Sequence, residues 1–539
     1  MTKRRLCSKE LSQSLEPPTK RFRSANLDHL SHLSDELLLR ILSHLSLTEL
    51  NLARTLSRRF NRVAGDSQLW KALYYNRFVR PRVARFPGID PSSAHLPFSS
   101  KLSRWPEDET LAKSEKETNW KFEYKRMHNW AKGTCAMTEI HVADQPPIPP
   151  LLVCLHDGIV YTADSISGLR AWSSKKERKL LGSIQLERLP EVVPTAIAVD
   201  TKSESAGSDL AIHRVVLGFN DGSFTIFEFA LSTGHFVPIF TSKPTNEILT
   251  AVAACLPYLI TTTATQLLTI YKFSIEREST ENEHREGRIE QPTPLFEFKS
   301  HSVLPPVALG IRSHPEYITA TLAFATPTLQ TGWKATVQEM RLTPEGELLD
   351  SRMVSSSATA HPLSSSLPSS LQSSRASTPM TSSISFSAAS PTYTKPTSIS
   401  YSHPYLLLSH PDNTLTLYLL SSTPNSLSIS AGSRLWGHTS SVAGAHVGNR
   451  GKAVSVTRSG DELRIWDLEG TTTRSSQSGT AVSVKIQPGK ASNMTSVTSM
   501  TDFEDMTVVR GWIGFDDENV VILKEKNLGT QNLVVYDFT

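Results

Sequence analysis

Cysteine is scarce in this 539-residue chain: only Cys7, Cys135, Cys154 and Cys255. They stand far apart, with no Cys-x-x-Cys and no matching histidine pair, so neither a zinc site nor a disulfide framework is indicated. Cys154 and Cys255 fall in apolar runs and read as small buried hydrophobes, which suits a reducing intracellular compartment. Long hydrophobic runs are also missing. No stretch of about 18 apolar residues occurs, so no transmembrane helix and no membrane partner are expected, and the N-terminus has no signal-peptide core. Net charge is small, at +4. Residues 1–80 hold 15 Lys+Arg against 7 Asp+Glu and the remainder 41 against 45, so the basic character belongs to the N-terminal region. No basic patch interleaved with aromatics is present, and no nucleic-acid partner is expected. Motifs for catalysis are lacking as well: there is no glycine-rich phosphate loop, no Gly-x-Ser-x-Gly and no His-Glu-x-x-His. The expectation is a chain without catalytic residues, cofactor or metal.

What is present begins with Ser34 to Tyr75. Leu37, Leu38, Ile41, Leu42 and Leu45 recur at helical spacing, with Ser34 placed as N-cap and Asp35 and Glu36 on the positive end of the helix dipole. A second start is read at Thr48-Glu49, with Leu50, Ala53 and Leu56 repeating the pattern, and a last helix after Gly65-Asp66 carries Leu69, Trp70 and Leu73. About 45 residues of short helices cannot bury this much leucine, so part of the surface is expected to meet a partner.

The run resembles the F-box, by which substrate receptors dock on the Skp adaptor of SCF-type ubiquitin ligases. Leu33, Glu36, Leu37, Ile41, Leu45, Leu50, Ala53, Phe60, Asp66, Leu69 and Trp70 match in order. The family usually begins Leu-Pro where this chain has Leu33-Ser34. The resemblance implies adaptor contacts from Leu33, Ser34, Leu37, Leu38, Ile41, Leu45, Leu50 and Trp70, and through the adaptor a cullin.

Residues 1–27 are polar and charged, with Pro17-Pro18, and read as a disordered basic tail whose Lys3-Arg4-Arg5 and Lys20-Arg21-Phe22-Arg23 clusters suit nuclear import or plain solvation. The F-box is assigned to 28–80 and a Pro/Ser-rich linker to 81–117. The aromatic segment WKFEYKRMHNWAKG places a linker helix at 118–133, resembling the Asn-Trp helix between F-box and WD-repeat propeller, here Asn129-Trp130. Its expected work is to hold the two modules at a fixed angle.

After Gly133, short β-rich runs alternate with turn signals and no long amphipathic helix intervenes, which reads as all-β. Residues 435–470 resemble one complete WD repeat: Gly437-His438 at its start, Trp466-Asp467 at its end, 28 residues from His to Trp. The resemblance makes the histidine structural. Degenerate siblings of its third strand are LRAWSS at 169, SFTIFEF at 223, LLTIYKF at 267, KATVQEM at 334, TLTLYLL at 414, LRIWDL at 463 and NVVILKE at 519. Seven blades are therefore expected over 134–539, following a small all-α module. Asp221, Asp412 and Asp517 stand at the turn-aspartate position; in the best repeat that place holds Gly460, with Asp461 one late. Ring closure is expected from Ala136–Val142, from Leu533–Phe538, or from both meeting in one blade. Two interruptions are read: a charged loop at 274–294 and a disordered Ser/Thr-rich insertion at about 351–400 between the fourth and fifth blades, containing Thr378-Pro379 and Ser390-Pro391.

Asp516-Asp517-Glu518 coincides with a blade turn, and His156-Asp157 and His301 read as echoes of a degenerate Gly-His. Arginines that would grip a phosphorylated segment are missing from the matching places, which hold Ala443, Asn220, Pro411, Asp516 and Ser459. The reading is a non-catalytic substrate receptor of an SCF-type E3 ubiquitin ligase, cytoplasmic and/or nuclear, presenting an unknown protein target. The alternative is a WD-repeat interaction scaffold not engaged with a ligase. A propeller hydrolase is the third possibility, and it requires acids and histidines on the strands nearest the axis.

Overall fold

In the computed structural model the described residues are 30, 32–80, 119–175, 178–186, 191–200, 212–273, 292–299, 303–328, 332–356, 394–448, 451–468, 482–488, 506–526 and 529–539. The N-terminal tail, the 81–117 linker, His301, Thr378-Pro379 and Ser390-Pro391 lie outside them. The chain divides into two units, Met1–Tyr124 and Lys125–Thr539.

Among the described residues up to Arg80, the first unit is built from four short helices, α1 (Asp35–Leu42), α2 (Leu47–Leu56), α3 (Arg58–Val63) and α4 (Ser67–Tyr74), the last running into one π-helical turn at Tyr75–Val79. Ser34 occupies the N-cap of α1 with extended backbone, but its hydroxyl makes no capping bond. Asp35 does other work there. Its carboxylate accepts from Arg59 at 2.8 Å and from Arg62 at 2.8 Å, and Arg59 also donates to the Leu33 carbonyl, which ties the start of α1 to α3. These arginines, Arg59 foremost, hold the Asp35 carboxyl below its ordinary range.

The cap of α2 is Ser46 rather than the expected Thr48. Ser46 and Glu49 form a reciprocal capping box, with the Ser46 N–H donating to Glu49 at 2.8 Å. Asp66 caps α4 by accepting from the Gln68 N–H at 2.8 Å. Leu38, Leu42, Leu50, Ala53, Val63, Leu69 and Trp70 form the core, with Tyr124 set edge-on to Trp70 at 5.5 Å. Tyr124 lies on α5 (Trp120–Lys132), and the division between the units falls within that helix.

Seven antiparallel sheets make the second unit a seven-bladed β-propeller. Blades 1 to 6 occupy 152–184, 194–241, 249–299, 307–355, 398–435 and 442–485 in chain order. Their first strands, with Met506–Phe515 of blade 7, touch one another in sequence around the axis and return to Leu152–His156, so the ring is closed. Second and third strands lie between neighbouring blades. Accordingly Ile159–Asp164 is buried at every position, and such strands read as continuous apolar runs rather than alternating ones.

Blade 7 is built from both ends of the propeller. Thr134–Ala143 supplies its outer strand, pairing antiparallel with Gln531–Asp537, with Met137 opposite Tyr536 and Ile140 opposite Leu533. This corrects one strand assignment. NVVILKE, within Asn519–Lys526, is the second strand of its blade, and Gln531–Asp537 is the third. The fourth strand arrives from far upstream, so the last blade ends one strand earlier in the chain than its siblings do.

Trp130 of α5 belongs to the propeller core. It stacks on Phe538 at 4.2 Å and donates Nε1–H to the Asp517 carbonyl at 2.9 Å, while Asn129 donates to the Phe538 carbonyl at 2.9 Å. The outer strand of blade 4 runs over Leu348–Ser355, so the Ser/Thr-rich insertion begins later than 351; residues 357–393 lie outside the described set. Thr293–Lys299 likewise takes the last two residues of the expected 274–294 loop. Among the described residues no helix is long and apolar enough to cross a membrane.

Candidate docking surfaces and the hydrogen-bonded blade core

The helical module sorts its leucines sharply. Leu38, Leu50 and Trp70, expected at the adaptor contact, are interior, and Trp70 donates Nε1–H to the Ala64 carbonyl at 2.9 Å. Their part is to hold the module together, because a helix one or two turns long keeps its shape only by burying one face. Leu33 and Leu45 are half-buried against that core, and Ser34 is exposed. Leu37 and Ile41 face solvent at 51% and 44%, as do Leu52 at 66% and Leu56 at 69% on α2. Sequence spacing places Leu56 in one repeat with Leu50 and Ala53, yet those two are buried and Leu56 is not, and it carries no expectation for Leu52.

In blade 6 the Gly-His and Trp-Asp ends meet through one hydroxyl. Ser455, fully buried on the second strand, lies 2.5 Å from His438 Nε2 and accepts from Trp466 Nε1 at 2.7 Å. His438 Nδ1 stands 3.6 Å from Glu462, whose carboxylate also accepts from the backbone and hydroxyl of Thr439, both at 2.9 Å, and from Arg464 at 2.7 Å. Burial pushes His438 down to about 4. Burial raises Glu462, but the bonds from Thr439 and Arg464 outweigh it and bring the carboxyl to about 2. The acid that completes the blade is thus Glu462, not Asp461, and sequence spacing missed both it and Ser455. Gly437 is held against Trp466, since a Cβ there would come within 3.2 Å of the ring. Asp467 closes the third strand, opposite Lys452 and Val482.

The arrangement recurs in fragments. Trp172 donates to Thr162 at 2.9 Å in blade 1, where Asp164 pairs with buried Arg170 at 2.7 Å. His410 Nε2 lies 2.9 Å from Thr416 Oγ1 in blade 5, and Asp412 accepts from Thr414 at 2.6 Å and pairs with Arg434. Asp221 accepts from the Ser223 backbone and hydroxyl in the turn between the second and third strands of blade 2. Asp517 departs from this set. It lies in the turn between the first and second strands of blade 7, where Asp516 accepts from the Glu518 and Asn519 N–H groups at 2.8 and 2.7 Å. Burial raises the Asp516 carboxyl.

One rim of the propeller carries exposed apolar side chains on five loops: Ile148, Ile166, Ile248, Leu304 and Trp436. Each loop joins blade to blade, or a second strand to a third, and the antiparallel alternation puts all such loops on one face. The chain leaves and re-enters the propeller on this face between Ser355 and Ser398. Arg464 donates to Glu462 and Ser483. The seven innermost strands contain no aspartate or glutamate and carry two histidines, His156 and His446.

Comparison with known proteins agrees with both units. Residues 30–76 match the F-box-like family. F-box protein pof12 of Schizosaccharomyces pombe (strain 972 / ATCC 24843) is 42% identical over 67 residues, 12% of this chain and 15% of that protein. F-box protein dre-1 of Caenorhabditis elegans is 28% identical over 121 residues, 22% of this chain and 10% of that one. The chain thus spans only a small part of these curated relatives. Among solved structures, the Myceliophteria thermophila Cps50 (Swd1) β-propeller domain aligns over 75% of this chain and 100% of its own at 8% identity, with a TM-score of 0.38, too low to bear on function. Residues 135–539 match the family described as F-box protein pof12 beta-propeller, three quarters of the sequence, and the chain belongs to that family.

Proposed function

We propose that this protein is the non-catalytic substrate-recognition subunit of an SCF-type E3 ubiquitin ligase, its helical module binding the Skp adaptor and its propeller binding a target protein. The observation that carries the reading is an F-box-like region with Leu37, Ile41, Leu52 and Leu56 turned to solvent, in one chain with a propeller of an F-box protein family. Side chains still about half to two-thirds exposed gain roughly 1–2 kcal/mol each on full burial, so these four supply a useful part of a docking energy. The chemistry stays with the ligase. Binding raises the effective concentration of a target lysine near an E2 thioester. The rim of Ile148, Ile166, Ile248, Leu304 and Trp436 is the surface assigned to the target. An adaptor-linked receptor of this kind works in the cytoplasm, the nucleus or both.

Affinity capture of the full chain is expected to recover Skp adaptor and cullin, and the double substitution Leu37→Asp with Ile41→Asp to cut that recovery at least about tenfold, the effect of losing a hot-spot pair. Failure of the unaltered protein to capture either one favours the scaffold reading.

A further inference from the structure

His156 ends the innermost strand of blade 1, and His213 lies in the second strand of blade 2, Ile212–Phe219. Both sit at the face opposite the apolar rim, because the turn after His156 joins a first strand to a second. That location separates His156-Asp157 from a Gly-His, which precedes a first strand, and leaves the pair unexplained by the blade core. The two imidazoles meet edge to face, with ring centroids 5.1 Å apart. Asp157 follows in a left-handed turn, φ 47°, which brings its carboxylate back to 3.8 Å from His156 Nε2.

The structural histidines His438 and His410 likewise set one ring nitrogen on a hydroxyl and leave the other without a hydrogen bond, so what distinguishes this group is that it gathers two imidazoles and a carboxylate. His156 Nε2 is buried and has no hydrogen-bond partner. His213 Nδ1 lies 2.8 Å from the buried Tyr161 hydroxyl, which fixes the ring and leaves Nε2 as the other coordinating atom. One ligand atom from each of His156, Asp157 and His213 lies within 4.8 Å of the others, and no second such trio occurs among the described residues. The Lys175 side chain packs against Gly158 beside the group, and its positive charge works against a bound cation.

We propose that His156, Asp157 and His213 bind a divalent transition-metal cation of the zinc type, bridging blades 1 and 2 and leaving a fourth position to water. Two imidazoles and one carboxylate suit zinc or cobalt, whereas calcium and magnesium prefer oxygen ligands throughout. A tetrahedral ion with bonds of about 2.0–2.1 Å needs ligand atoms about 3.4 Å apart, so a trio spread over as much as 4.8 Å must close on binding by up to about 1.4 Å.

The test is titration of cobalt(II), then of zinc(II) in competition, into the full-length protein after chelator treatment. The visible absorption of four-coordinate cobalt reports on the site. The expected result is one saturable equivalent, weakened at least about 100-fold by His156→Gln and about tenfold by Asp157→Asn, given that even partners outside the ligand shell are worth 10–100-fold. Asparagine tolerates the left-handed turn, so Asp157→Asn keeps the fold if His156→Gln does not. Absence of a saturable cobalt signal, or equal affinity in the protein and in Asp157→Asn, overturns the proposal.

Discussion

Replacing Ser455 with alanine removes a single oxygen that two buried side chains share. Trp466 Nε1 can only donate, so the hydroxyl oxygen accepts from it at 2.7 Å. The hydroxyl proton is then directed at His438 Nε2, 2.5 Å away, which places the His438 proton on Nδ1, toward Glu462. Alanine leaves one donor and one acceptor without partners where water does not reach, since Ser455 and Trp466 are fully buried. Each such orphan costs about 1–3 kcal/mol, and a shared partner makes the two costs less than additive, so the loss is about 2–4 kcal/mol. The assay is urea unfolding of the full chain followed by tryptophan fluorescence, read as a lower midpoint at unchanged slope. Ser455→Thr keeps the hydroxyl, as Thr162 does beneath Trp172 in blade 1, and should recover at least half of the loss. A shift below about 0.5 kcal/mol for the alanine variant, the size of an ordinary surface change, would refute the reasoning.

Stability should also depend on acid. Burial depresses His213, His410 and His438 to about 4 from an ordinary 6.5, so each takes up a proton on unfolding in that window. Their contribution is full above 6.5 and is lost as the pH falls toward 4, at up to about 1.4 kcal/mol per pH unit per histidine; unfolding midpoints at pH 7, 6 and 5 check this, and a flat profile contradicts it. Glu339 is buried and accepts from Arg352 at 2.7 Å, Arg312 at 3.0 Å and Ser422 at 2.6 Å, linking blades 4 and 5. Glu339→Gln leaves partly buried Arg312 without its counter-charge and Arg352 with Asp350 alone, and should cost about 3–5 kcal/mol in thermal or chemical unfolding, the range for breaking a buried ion pair from one side.

Periodicity and turn chemistry are local, and what depends on them was legible. The helices after Ser34 and the aromatic helix before Gly133 could be read from spacing, and the seven strand-bearing repeats from the resemblance of residues 435–470 to a WD repeat. The readings that changed depend on neighbours distant in sequence. Leu38 and Leu37 are adjacent and equally apolar, yet only contact with Trp70 and its surroundings decides that Leu38 is interior while Leu37 is open to solvent. Glu339, in KATVQEM, reads as an ordinary polar position, and its burial follows from arginines on two other strands. NVVILKE moved from third strand to second because its sheet borrows a strand from almost four hundred residues upstream.

By itself, then, the sequence determined the class of each segment, because that rests on short-range patterns of apolar, capping and turn residues, and through its resemblance to F-box and WD-repeat families it implied the number of blades. The tertiary structure decided which leucines face outward, which carboxylate completes the His438 group, how the ring closes and that His156 meets His213. Each of these joins atoms far apart along the chain, and only the packing of one blade on the next brings them within bonding distance.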